Sequence, residues 1–164
     1  MIGKKQIVFL ILTLIWCAVI FVFSAQNAGA SSETSGSFIE NVCDFIVPEF
    51  DSFTGDQRES LVEELQFFVR KSAHFTAYFI LGILVYNSIR PRKKPARFII
   101  PVFFAFIYAC SDELHQYFVP GRSCELRDIC IDTLGAAAGT AASLAVSSVF
   151  SKKRIKEEKD LDSG

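Results

Sequence analysis

The chain has 164 residues, 51% of them hydrophobic and 21% charged, with a formal net charge of -1 and a mean hydropathy of +0.33. That balance favours one small membrane domain over a soluble globule and argues against two domains. A near-neutral charge without a zinc-finger or RNA-binding pattern also argues against a nucleic-acid partner.

Four apolar runs are expected to span a membrane, near residues 7–23, 69–89, 98–118 and 129–150, since each approaches the roughly 20 residues that cross about 30 Å of hydrocarbon. The fold class expected is therefore all-α, a polytopic bundle. Ahead of the first run, Lys4 and Lys5 together with the later Ala28-Gly29-Ala30 resemble a secretory signal with its cleavage site. The apolar core is longer than such signals use, which favours a retained anchor.

Residues 24–68 are rich in acids, with Arg58 as their one base. Within them, Thr54-Gly55-Asp56-Gln57 has the form of a capping box leading into Leu61, Leu65 and Phe68, so an amphipathic helical lead-in is expected to run into the second span. Basic residues crowd the other connections: Lys4 and Lys5, then Arg90, Arg92, Lys93, Lys94 and Arg97, then Lys152, Lys153 and Arg154. These segments are expected to be cytoplasmic, placing both termini inside and residues 24–68 and 119–127 outside. The membrane domain is expected to cover 1–151, with 152–164 a disordered charged tail.

The third run contains Ser111-Asp112-Glu113-Leu114-His115-Gln116, whose ionisable groups lipid would penalise by about 3 kcal/mol each. With the expected topology these groups share one side of the membrane with Arg70, Lys71 and His74 of the second run and with Asp128 and Asp132 of the fourth. Helical spacing puts Lys71, His74 and Tyr78 on one stripe and Tyr108, Ser111, Asp112 and His115 on another. On the fourth run Asp128, Asp132, Gly135 and Gly139 fall on one face, where Gly135 and Gly139 form a small-xxx-small surface for close packing. The acids are therefore expected to point into the bundle. Asp112 and Glu113, about 100 degrees apart on a helix, need separate partners. Pro120-Gly121-Arg122-Ser123 makes a turn that presents Arg122, either to an anionic ligand or as a clamp on Asp128 and Asp132. Both uses stay open.

The five cysteines, Cys17, Cys43, Cys110, Cys124 and Cys130, show no CxxC pairing, and no HExxH-type spacing is present, so no metal site is expected, while metal assistance by His74, Asp112, Glu113 and His115 stays open as the lesser alternative. His74, Asp112, Glu113 and His115 are the candidates for acid-base chemistry. Arg70, Lys71, Gln116, Arg122, Asp128 and Asp132 are the candidates for holding a ligand. The bland alternative is a structural ion network.

Taken together, Phe23-Ser24-Ala25-Gln26, Arg70-Lys71-Ser72-Ala73-His74-Phe75, Asp112-Glu113-Leu114-His115-Gln116 and Phe118-Val119-Pro120-Gly121-Arg122-Ser123, followed by Asp128 and Asp132-Thr133-Leu134-Gly135, resemble the VanZ-like family over most of the chain. The resemblance implies a small polytopic protein of the bacterial cell membrane, in a family whose founding member is associated with resistance to teicoplanin-type glycopeptides. It also supports a retained first span. Asp132 departs from the pattern, in which many members carry Asn. The resemblance brings no settled chemistry, cofactor or oligomeric state. Three functions follow as expectations. The first is a protein that binds or modifies an anionic cell-envelope molecule, such as a cell-wall precursor or the glycopeptide itself. The others are an ion or proton transporter, and a non-catalytic interaction protein. Membrane lipids are partners in all three.

Overall fold

The computed structural model describes residues 3–25, 28–47, 52–89, 94–120 and 124–162. These residues form five α-helices: α1 (Lys4–Ser24), α2 (Ala28–Ile46), α3 (Gly55–Ser88), α4 (Lys94–Gln116) and α5 (Leu126–Asp162). The expected all-helical bundle is borne out. Four helical stretches are long and apolar enough to cross a membrane: Lys4–Ser24, Gly55–Ser88, Pro95–Gln116 and Leu126–Arg154. Large apolar side chains point away from the bundle all along them, with Leu14, Phe103 and Leu134 exposed by 63%, 61% and 63%. In water such surface would be costly, whereas lipid tails match it.

The capping box read from Thr54 is present. The Gln57 amide donates to Thr54 Oγ1 at 3.4 Å, and the Thr54 amide donates to Gln57 Oε1 at 3.0 Å. From that start α3 runs for 34 residues. At about 1.5 Å per residue it is roughly 50 Å long, so about 20 Å must project beyond the hydrocarbon.

Two features differ from the sequence reading. Residues 28–46, expected as loop, form α2, because Ile39 and Cys43 share a helical stripe and bury themselves against Val62 on the projecting half of α3. The Ser- and Gly-rich opening of that segment conceals this stripe. The tail expected to be disordered after residue 151 instead continues α5 to Asp162, where Lys153 and Glu157 lie 3.9 Å apart in the (i, i+4) relation that supports a helix.

Within the bundle, α3 packs chiefly on α5 and α1, and α4 on α5. A Cβ on Gly139 would lie 2.9 Å from the Phe79 carbonyl carbon, one on Gly135 3.1 Å from that of Phe75, and one on Gly82 2.9 Å from that of Ala136. Only glycine admits this approach. The small-residue face of α5 thus sets the α3–α5 spacing, as expected for membrane helices held by close packing and interhelical hydrogen bonds. Such bonds also tie in α1: Trp16 Nε1 donates to the Ala77 carbonyl at 2.8 Å, and Tyr108 Oη donates to the Cys17 carbonyl at 2.6 Å.

Candidate functional site

The close α3–α5 contact carries its register upward from Gly139 through Gly135 to Asp132, four and seven residues away, and on α3 from Phe79 through Phe75 to His74. Asp132 is completely buried, and its Oδ1 lies 3.5 Å from His74 Nδ1. Neither Asp132 oxygen has a hydrogen-bond partner of normal geometry among the described residues, and the His74 contact becomes an ion pair when the imidazole is protonated.

α4 supplies Asp112, 3% exposed, from a stripe that also includes Ala105, Ala109 and Gln116. His74, Asp112 and Asp132 each place a ligand-type atom within 4.8 Å of the others. Gln116 braces the group: its Nε2 lies 3.4 Å from Asp112 Oδ2 and donates to Ser24 Oγ of α1 at 3.0 Å. Four helices therefore meet at one end of the bundle.

A second group lies beside the first. Lys71 pairs with Asp128 and lies 3.9 Å from Glu125 Oε2. Glu113, 1% exposed, accepts from the Glu125 backbone amide at 2.8 Å, where the start of α5 presents unpaired N–H groups and a favourable dipole. Asp112 and Glu113 diverge as helical geometry requires. One turns toward α1 and α3 and the other toward α5.

The family comparison settles what kind of protein carries this arrangement: the model described as VanZ/LLP1 matches residues 9–147, from the first span through the fourth. The chain belongs to the VanZ/LLP1 family. Neither the curated proteins nor the solved structures yielded a match. With its four spanning helices, this family member is a multi-pass membrane protein.

Of the residues singled out in the sequence, His74, Asp112, Asp132 and Gln116 are brought together, and Lys71, Glu113 and Asp128 form the neighbouring group. Arg122 lies outside the described residues. His115 turns toward α1, where its ring lies 4.5 Å from that of Phe21. The expected α4 stripe needs adjustment: Ser111 is exposed and its hydroxyl donates to the Tyr108 carbonyl at 2.7 Å, while Glu113 is buried in its place. The start of α5 attracts that carboxylate inward. Ser24 and Glu125 were not expected at the site. Ser24 had a signal in the Phe23-Ser24-Ala25-Gln26 motif, whereas Glu125 had none, being one acid beside a turn.

Arg70 occupies a distinct position. It lines a cavity of about 540 Å³ between α1 and α3, whose other walls include Trp16, Ile20, Phe23, His74 and Tyr78. It also lines a polar cavity of about 870 Å³ between α2 and the projecting half of α3, with Ser37, Glu59, Glu63 and Gln66. Among the described residues no carboxylate lies in salt-bridge contact with Arg70. Arg70 thus borders both an apolar compartment and a polar one.

Proposed function

We propose that this VanZ-family protein binds a lipid-linked anionic molecule of the cell envelope at the outer face of the membrane. The observation that carries the reading is the two-part groove hinged on Arg70. An apolar chain fits between α1 and α3, and the anionic group meets Arg70. A headgroup bearing hydroxyls or amides then faces the polar cavity, whose glutamates and Gln66 accept hydrogen bonds. Both volumes fall in the range of about 300–1,000 Å³ typical of ligand pockets. The outer face follows from the basic residues of the other three segments, which favour the cytoplasm.

In this reading His74, Asp112 and Asp132 form the polar floor beside the anion, since His74 lines the same groove as Arg70. Lys71, Glu113 and Asp128 hold the middle of α3, the end of α4 and the start of α5 in register. A contribution to glycopeptide resistance follows if the bound molecule is a cell-wall precursor.

The test is mass spectrometry of lipids that copurify with the protein in nanodiscs extracted from its host membrane. The expected result is enrichment of a phosphate-bearing lipid species with the wild type and its loss with Arg70→Gln. Identical lipid profiles for the two would reject the reading. A teicoplanin susceptibility assay on cells expressing either form then decides the resistance clause: equal susceptibility removes it.

A further inference from the structure

We propose that His74, Asp112 and Asp132 form a binding site for a divalent transition-metal ion, zinc or manganese. Each residue comes from a different helix, α3, α4 and α5, so no short sequence motif announces the set. The ligand-type atoms all lie within 4.8 Å of one another. Ligand distances of about 2.1 Å imply ligand-to-ligand edges of about 3.4 Å in a tetrahedral site. The 3.5 Å between His74 Nδ1 and Asp132 Oδ1 already matches that edge. The Asp112 oxygen lies within 4.8 Å of both.

An independent observation points to a cation at this cluster. Both carboxylate oxygens of Asp132, fully buried, and Oδ1 of Asp112, 3% exposed, have no hydrogen-bond partner among the described residues. Two buried carboxylates in such a setting are costly without compensation. Lys71, one helical turn from His74 on α3, is engaged by Asp128. His74 as a cation would offset one negative charge of the two; a divalent ion offsets both.

The surroundings also fit. Gln116 steadies Asp112 and is itself held by Ser24, the kind of outer-shell bracing that orients ligating carboxylates. His74 lines the α1–α3 groove, which gives an ion a route in and leaves an open side for a further ligand. One imidazole with two carboxylates suits zinc or manganese, whereas calcium seeks six to eight oxygens and magnesium keeps several waters. This inference stands on the cluster alone and does not require the lipid reading.

The experiment uses the full chain, purified in detergent with a histidine-free affinity tag, stripped with a chelator and reloaded separately with Zn²⁺ and Mn²⁺. Metal content is read by elemental mass spectrometry, and the thermal midpoint with and without metal. The expected result is about one ion per chain for at least one of the metals, with a raised midpoint. Occupancy is expected to fall about tenfold or more in Asp132→Asn and Asp112→Asn, and to persist in Lys71→Gln. Helical circular dichroism identifies which variants fold; if neither asparagine variant folds, His74→Gln takes their place, and the wild-type stoichiometry and midpoint shift decide if that fails too. Negligible metal in folded wild type, or undiminished occupancy in any folded ligand variant, overturns the proposal.

Discussion

Replacing Gly139 by alanine adds one methyl group at the closest approach of α5 to α3. That methyl would sit 2.9 Å from the Phe79 carbonyl carbon and 3.2 Å from its Cα, where ordinary contacts begin at 3.4 Å. The atom it meets most closely is the Phe79 carbonyl oxygen, which is backbone and has no rotamer to escape into, so the helices must separate by about 1 Å or more. Overpacking of this kind costs up to about 3 kcal/mol. Alanine returns about 1 kcal/mol through its higher helix propensity, leaving a net loss of about 2 kcal/mol. For a chain of this length that lowers the thermal midpoint by roughly 4–8 °C. The assay is thermal unfolding of the detergent-purified protein, followed by circular dichroism. Gly55→Ala is the control, because at the first turn of α3 a Cβ meets nothing within 4 Å. The same substitution there is expected to be neutral or to stabilise by about 0.5 kcal/mol. A Gly139→Ala protein as stable as wild type, with Gly55→Ala behaving as stated, would show that α3 and α5 are not seated at this spacing.

Three further outcomes are expected. Trp16→Phe keeps most of the packing of α1 on α3 but leaves the Ala77 carbonyl without its indole donor, and should lower stability by about 1 kcal/mol in thermal unfolding; no change would detach α1 from this contact. In a double-mutant cycle, Lys71→Gln and Asp128→Asn should each destabilise, with the double variant losing less than the sum by at least about 0.5 kcal/mol; strict additivity would deny the pairing. Cys124 is exposed at the end of the bundle that carries the acids, so in a variant lacking the other four cysteines a membrane-impermeant thiol reagent should label it on intact cells. Labelling only after lysis would place the site in the cytoplasm.

Much of the architecture was legible because membrane spans announce themselves through long apolar runs and their termini through capping and charge. The face of α5 was legible for the same reason: Asp132, Gly135 and Gly139 are spaced by helical periods, and all three are buried as that spacing requires. What periodicity on a single helix does not encode is azimuth relative to the neighbours. Tyr108, Asp112 and His115 share a broad sector of α4, yet only contact with α1 decides that His115 stacks on Phe21 while Asp112 meets His74 and Asp132. Glu113 was legible as buried and needing a partner, but that partner is a backbone amide at Glu125, invisible to any search for side-chain complementarity. α2 escaped because two apolar positions, Ile39 and Cys43, are a faint signal until the partner surface on α3 is known.

α3 has one more consequence. Between Asp56 and Leu81 it contains neither proline nor glycine, so a single stiff rod joins the layer that α2 covers to the floor where His74 sits. A tilt of the layer that α2 covers finds no proline or glycine hinge in that stretch at which to bend. The imidazole rides on that rod, whereas the two aspartates it faces belong to α4 and α5, so a tilt of α3 alone would change their spacing.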